Sequence, residues 1–513
     1  MEKSMHQKSI NDWFESVCFK RGEKKAITFL NNGITETVLT YSELKKEVCC
    51  FAEILQDQGI SKGDRIIFFL EKSILFVVAH LALQSIGVVS IPLNNGFKKG
   101  EMTYLLKDAE AALVICDTGK GDWIKQIHPG SKVMEIPTKV PYQRMKPLKG
   151  HSCSFSKIKI EPEDPGLIIY TSGTTGDPKG AVLTQKNLVH DAVNIIDVWE
   201  ISQKDVLCHT LPLFHVHGLC FALHTALLSG AHVLMLDRFD PQLVLNVLSC
   251  KNKNQTCTIY MAVPAMYTKL MDSMGEIALD FSHIRLLTSG SAPLLTKEFL
   301  RIERLFGKKP VEREGMTETG MNFSNPLRAK RKPGSIGLPM PGLQVRIVNP
   351  KSFIDLPPNQ TGEIWLKGPC ITPGYWQKPE QTRKTFKDGW FRTGDLGYVD
   401  GQGYYYLTDR IKHIIITGGE NVSAKEVETV INRLDKVIES AVVGITDAKW
   451  GEKIVALVVT EQGSDLSPET IQTFCKEHLH TWKSPKKIRF VEAIPKNTMG
   501  KILKKEVVKI FME

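Results

Sequence analysis

Apolar and polar positions along this chain switch repeatedly between two periods. Asp64–Leu70, Ala112–Cys116, Gly166–Tyr170, His232–Leu236 and Ile284–Thr288 are short β-rich runs and read as strands. Between them, Tyr41–Gln58, Asn187–Trp199 and Pro241–Cys250 have the amphipathic spacing of helices, and Asp240-Pro241 offers a capping acid ahead of a proline suited to a first helical turn. This alternation predicts layered α/β architecture up to about residue 408. Gly337 to Leu407 is rich in strand and turn residues and predicts a small β subdomain. Beyond Asp409-Arg410-Ile411-Lys412 the pattern changes again. Ile414–Thr417, Ile438–Gly444 and Ile454–Thr460 read as strands, and Ser423–Leu434 and Ser467–Leu479 as helices, enough for a compact α+β domain.

The expected fold class is therefore α/β: a large N-terminal domain (1–408) with two α/β subdomains and the β subdomain, a hinge at 409–412, and a C-terminal α+β domain (413–513). A length of 513 residues agrees, being more than one core usually supports. Ser73 to Pro92 approaches the length of a membrane span. It contains His80 and Gln84, follows Glu71 and Lys72, and ends in Val-Val-Ser-Ile-Pro, so a buried helix followed by a buried strand is expected. Met1 to Arg21 is polar and has no apolar signal core.

Composition adds little. A hydrophobic share of 42% and a charged share of 24% are those of a globular protein. The net charge of +10 is spread over many lysines and suits nucleotide or phosphorylated substrates as well as it suits anionic surfaces. No nucleic-acid partner and no transmembrane segment are expected; weak peripheral membrane contact stays open. The eleven cysteines show no zinc spacing, so free thiols in a reducing, cytoplasmic setting are expected.

The densest chemistry is Tyr170-Thr-Ser-Gly-Thr-Thr-Gly-Asp-Pro-Lys-Gly180, directly after an apolar strand. Gly173, Gly176 and Gly180 let backbone N–H groups turn toward one point. Thr171, Ser172, Thr174 and Thr175 add hydroxyls, and Lys179 adds a cation, an inventory suited to a polyphosphate. It is not a Walker A loop, because no GK[ST] ends it.

TSGTTGDPKG resembles the phosphate loop of the adenylate-forming superfamily of acyl-CoA synthetases, peptide-synthetase adenylation domains and beetle luciferases. Further similar segments follow in order. They are Leu211-Pro-Leu-Phe-His-Val-His-Gly218, Gly315-Met-Thr-Glu-Thr319, Gly362-Glu-Ile, Gly374-Tyr-Trp376, Thr393-Gly-Asp395, Asp409-Arg-Ile-Lys412, Gly418-Gly-Glu-Asn421 and Asn497-Thr-Met-Gly-Lys501. The resemblance implies an ATP-dependent acid–thiol ligase that uses ATP, Mg2+ and CoA. It assigns the β- and γ-phosphates to Thr171–Lys179, the α-phosphate to Thr317, and Mg2+ to Glu318 with Thr175. Asp395, with Arg410 beside it, is assigned to the ribose. Lys501 would bridge the acid's carboxylate and the α-phosphate. The C-terminal domain would act as a mobile lid turning on Lys412, with Gly418 and Gly419 passing the thiol.

Two positions depart from the family pattern: Glu314 stands where an adenine-stacking aromatic is usual, and His413 where Asp is common. For the acid, His215 falls at the pocket entrance. Arg285-Leu-Leu-Thr-Ser-Gly-Ser-Ala-Pro-Leu294 and Gly315–Pro326, which contain Ser289, Gly290 and Met321, resemble malonyl-CoA synthetases. That likeness gives Arg285 the distal carboxylate of a malonate-like diacid; a fatty acid is the other candidate. Loading of a carrier protein and a catalytically impaired nucleotide-binding homologue are the alternatives.

Overall fold

The computed structural model describes residues 9–147, 155–171, 178–250, 256–274, 279–417, 420–447, 450–497 and 500–513. The fold is mixed α/β, with a large N-terminal and a small C-terminal domain. Two compact units are present, Met1–Gln344 with Lys367–Gly389, and Val345–Leu366 with Trp390–Glu513. The expected boundary near residue 409 lies inside the second unit.

Two sheets build the first unit. One is seven-stranded, in the order Gly374–Tyr375, Lys179–Thr184, Pro165–Thr171, Val89–Pro92, Arg65–Phe69, Leu113–Asp117, Val133–Ile136. Pro165–Thr171 and Lys179–Thr184 are antiparallel, with Thr171 opposite Lys179; the remaining pairs from Val89–Pro92 outward are parallel. The other sheet is nine-stranded and includes, side by side, Gly320–Ser324, Val311–Met316, Leu286–Ser289, Ile259–Ala262 and Val206–His209.

The apolar stretch from Ser73 becomes a buried helix, Ile74–Ser85, and a strand, Val89–Pro92. Its polar residues are satisfied internally, as burial demands. His80 Nδ1 lies 3.0 Å from Ser90 Oγ and its Nε2 lies 2.8 Å from His224 Nε2, while Gln84 donates to the Gly166 carbonyl at 2.8 Å. Among the described residues no helix is long and apolar enough to cross a membrane. Nine described cysteines are free thiols; Cys50, expected to be one, is disulfide-bonded.

In the second unit, Gly362–Lys367 pairs antiparallel with Trp390–Val399, which pairs with Tyr405–Arg410. A further sheet contains Ile414–Thr417, Gly451–Thr460 and Val437–Asp447. Ala424–Ile431 and Pro468–His478 bury Val427, Ile431 and Ile471 against one face of it, and Lys504–Met512 buries Val507 and Phe511 against the other. Element types follow the sequence expectation, with ends shifted by a few residues.

Candidate active site

In the first unit the expected phosphate segment is the connection of an antiparallel hairpin, with Thr171 at one stem and Lys179 at the other. Ser172, Gly173, Thr174, Thr175 and Gly176 lie outside the described residues. Thr171 Oγ1 donates to Glu318 Oε1 at 3.2 Å, and the Tyr375 hydroxyl donates to the same oxygen at 3.1 Å. Lys179 Nζ stands 5.4 Å from the Tyr375 ring centroid.

Thr317 and Glu318 occupy the turn between Val311–Met316 and Gly320–Ser324. Gly320 completes that turn at φ +68°, where a Cβ would stand 2.7 Å from Asp191 Oδ1, so both backbone and space call for glycine. Glu318 is buried, and its Oε2 carries no hydrogen bond among the described residues. It is a hard oxygen donor fit for Mg2+. No cluster of three His, Cys, Asp or Glu among the described residues could cage a metal, which suits an ion bound by one carboxylate plus substrate phosphates.

Glu314 is tied across the same hairpin: Asn322 Nδ2 donates to its Oε2 at 3.0 Å. The acid that stands in an aromatic's place thus has a partner of its own.

The second unit brings Asp395 and Arg410 together as a cross-strand pair with an Nε–Oδ1 separation of 2.6 Å. Burial raises the Asp395 pKa, opposed by the charges of Arg410, Lys501 and Lys412, so all three cations act on one carboxylate. Asn497 and Lys501 close a turn through Asn497 N–H to Lys501 O at 2.9 Å, leaving the Lys501 side chain exposed. Lys412 is exposed in the short turn Ile411–His413. Gly418 and Gly419 lie outside the described residues.

One expectation needs correction. Arg285, assigned by resemblance to the acid, is engaged elsewhere. Its guanidinium grips Asp205 through two bonds of 2.7 and 2.8 Å and also donates to the Trp199 and Glu200 carbonyls. It precedes Leu286–Ser289, whereas Ser289 and Gly290 stand at that strand's far end, about 13 Å on at strand rise. Ligands of parallel sheets gather at the carboxyl ends, so Arg285 stands at the wrong end and is consumed by a structural ion pair.

A different arginine stands at the right end. Arg313 is buried, and no described residue bonds its Nε, Nη1 or Nη2. Its guanidinium lies 5.3 Å from the Phe221 ring centroid. A Cβ on Gly290 would come within 2.6 Å of it, so the glycine makes its room. Burial pushes its pKa down to about 10, while Glu314, Asp191 and Tyr267 act in the opposite sense.

His217 is close by, on a π-helical turn, His217–His224, that periodicity did not reveal. Its Nδ1 meets Ser291 Oγ at 3.2 Å, and its Nε2 has no described partner. Burial and the Arg313 charge hold its pKa well below the usual histidine range, so it is a neutral imidazole. Ser289 Oγ is also buried without a described partner. Met321 N–H donates to Asp191 Oδ1 at 2.8 Å, and burial raises the Asp191 pKa to about 7. His215 is half-buried, its ring 4.7 Å from that of Phe214. Strand alternation alone separates Arg313 from its flanking Glu312 and Glu314 and was the one signal for it.

Hydroxyls beside a lysine, a buried acid available to a divalent ion, and a carboxylate–arginine pair are parts for activating an acid with a nucleoside triphosphate. The comparisons agree. An AMP-binding enzyme model matches residues 14–376, and its C-terminal domain model matches 426–501. The mitochondrial malonate–CoA ligase of Mus musculus is 34% identical, with 92% of this chain and 86% of that protein covered. A long-chain-fatty-acid–CoA ligase of Bacillus subtilis is 31% identical, with 94% and 91% covered. ATP-bound MatB from Rhodopseudomonas palustris superposes with a TM-score of 0.90 at 35% identity over 99% of each chain. The chain belongs to the AMP-binding enzyme family, in the acyl-CoA synthetase branch of the adenylate-forming superfamily. Its activity is that of an AMP-forming acid–CoA ligase using ATP, Mg2+ and CoA.

Proposed function

We propose that the acid is a short dicarboxylate, malonate first, and that Arg313 receives its distal carboxylate. The observation that carries this reading is a buried guanidinium with three nitrogens unbonded by any described residue. A buried cation of this kind is costly unless a ligand pairs with it, and its planar fork matches a carboxylate. His217 Nε2 and Ser289 Oγ offer further polar contacts. A fatty acid has no group to answer them. The malonate–CoA ligase of Mus musculus, at 34% identity, supports the same reading.

In the proposed adenylation step, the reacting carboxylate attacks the α-phosphorus of ATP and releases pyrophosphate. Lys501 bridges carboxylate and α-phosphate and offsets their repulsion, and Thr317 donates to the α-phosphate. Thr171 and Lys179 hold the terminal phosphates. Glu318 would hold Mg2+, which would supply charge neutralisation at the phosphates. Asp395 accepts from the ribose hydroxyls, with Arg410 fixing its orientation. The segment 409–412 then serves as the hinge on which residues 413–513 turn, and the CoA thiol attacks the acyl carbonyl to release AMP.

The test is pyrophosphate release with malonate, methylmalonate, succinate, octanoate and palmitate. Malonate or methylmalonate is expected to give the highest kcat/KM. Turnover confined to octanoate and palmitate refutes the dicarboxylate reading, and ATP binding without pyrophosphate release from any acid points to an impaired homologue.

A further inference from the structure

Behind the phosphate hairpin lies a buried carboxylate that touches none of the reacting groups. Asp108 lies in the last turn of the helix Lys99–Ala109, and its side chain is 6% exposed. Its Oδ2 accepts from the Tyr170 hydroxyl at 2.8 Å. Its Oδ1 accepts from Lys378 Nζ at 2.6 Å and from the Tyr104 hydroxyl at 3.1 Å. The Tyr104 hydroxyl is shared with the Pro178 carbonyl at 3.0 Å. Trp376 Nε1 donates to the Asp108 carbonyl at 3.1 Å.

These donors come from separate parts of the chain, and two of them adjoin the hairpin stems or the strand Gly374–Tyr375. Tyr170 immediately precedes Thr171 on the entering stem of the hairpin; Pro178 immediately precedes Lys179 on the leaving stem. Trp376 N–H bonds the Gly180 carbonyl at 2.8 Å, and Tyr375, next to Trp376, bonds Glu318. The Asp108 carboxylate therefore holds the entering stem through Tyr170 and the segment after Gly374–Tyr375 through Lys378, reaches the leaving stem through the shared Tyr104 hydroxyl, and stands beside a backbone carbonyl that holds Trp376. The helix end bearing it is itself held, since Arg65 donates to the Ala109 and Glu110 carbonyls at 2.9 and 2.8 Å. A carboxylate accepts several bonds at fixed angles, and charge-assisted bonds are the strong ones. Such a hub sets geometry in its neighbours without touching substrate.

We infer that Asp108 is a positioning residue for the β- and γ-phosphates of ATP, holding the two stems of the 171–179 hairpin at the spacing the phosphates require. This rests on reading that hairpin as the phosphate site. AMP, which lacks those phosphates, provides the control: a hub that positions the hairpin governs ATP affinity and leaves AMP affinity alone.

The experiment is calorimetric titration of MgATP and of AMP, without acid, into wild type and the Asp108→Asn, Tyr170→Phe and Lys179→Ala variants. Asp108→Asn keeps the shape but turns one acceptor into a donor facing Tyr170 or Lys378. It is expected to weaken MgATP binding by roughly tenfold or more, the scale of one charged hydrogen bond, with AMP affinity within about twofold. Tyr170→Phe, a milder change that keeps the ring packed, should give the same selectivity at about three- to tenfold. Equal weakening of ATP and AMP, or no weakening of either, in both the Asp108 and Tyr170 variants overturns the inference. Lys179→Ala separates the premises. If it leaves MgATP affinity unchanged, the hairpin is not the phosphate site; if it weakens MgATP while the other two variants do not, the hairpin reading stands and the role of Asp108 fails.

Discussion

Replacing Arg313 with methionine should raise or preserve stability while removing activity on dicarboxylates. Methionine approximates the length of the arginine stem and brings no charge. In the free protein the substitution breaks no hydrogen bond to a described residue. It forfeits the contact with Phe221 at 5.3 Å, worth about 0.5–2 kcal/mol, and the attractions to Glu314 and Asp191. At pH 6 the Asp191 part is small, because Asp191, with a pKa of about 7, is mostly protonated, and the Glu314 part is outweighed by burial, which leaves the Arg313 pKa lowered. Against these losses stands relief from desolvating a guanidinium, which makes such replacements neutral or stabilising by about 1–4 kcal/mol. The melting temperature at pH 6 should therefore hold or rise.

Activity should move the other way. Removing one partner of a buried ion pair costs about 3–5 kcal/mol, which at 1.36 kcal/mol per decade is a fall of roughly 10²–10⁴-fold in kcat/KM for malonate. The assay is continuous pyrophosphate release, with kcat/KM for malonate and octanoate measured beside thermal unfolding. Arg285→Met is the mirror image. It breaks the two hydrogen bonds to Asp205 and should cost about 2–3 kcal/mol of stability, below the buried-pair range because the Arg285 side chain is 32% exposed. Its kcat/KM should change by less than about threefold. If Arg313→Met keeps malonate activity and loses several degrees of melting temperature, Arg313 is a structural strut and the argument fails.

Further expectations concern the nucleotide side and pH. Lys501→Ala should abolish pyrophosphate release yet leave thioester formation from preformed acyl-adenylate within about threefold, since the lysine is assigned only to the first step; equal loss of both steps contradicts this. Glu318→Gln should raise the Mg2+ concentration for half-maximal adenylation by about tenfold, read from a magnesium titration at fixed ATP. Glu314→Tyr should tighten ATP binding by supplying a π-face. It should also cost about 1–2 kcal/mol of stability, because Asn322, fully buried with Oδ1 already unbonded, loses its one described side-chain partner. For Asp409, burial favours the neutral form, but His413 at 3.6 Å and hydrogen bonds from Lys425 N–H, Ser423 and Arg410 N–H outweigh it and lower the pKa from 3.8 to about 2. A depressed carboxylate contributes its stability above the unfolded value and loses it as pH falls from 3.8 through 2. Asp409→Asn should remove about 2 kcal/mol at pH 7 and flatten that acid limb in urea unfolding.

What was legible in the sequence divides along a physical line. Phosphates are recognised largely by backbone N–H groups and short hydroxyl side chains, which must lie close together in the chain, so a loop such as Thr171–Gly180 reads as a motif. Strands and helices were legible for the same reason, since their periods are local. The proposed acid pocket draws instead on His217, Ser289, Gly290 and Arg313, from a π-helical turn, the end of one strand, the turn after it and a neighbouring strand. Nothing in the spacing joins them. Arg285 shows the cost: it begins a segment like that of malonyl-CoA synthetases, but its partner Asp205 lies 80 positions away, and only the fold reveals that the pair is closed. Glu314 is the converse case. It departs from the family pattern, yet its partner Asn322 is eight positions on, across the hairpin. A residue's commitment to a structural bond decides whether it is available to a ligand, and that commitment is tertiary. The family could therefore be read from order along the chain, while the acid proposed for it rests on Arg313, whose guanidinium no described residue bonds.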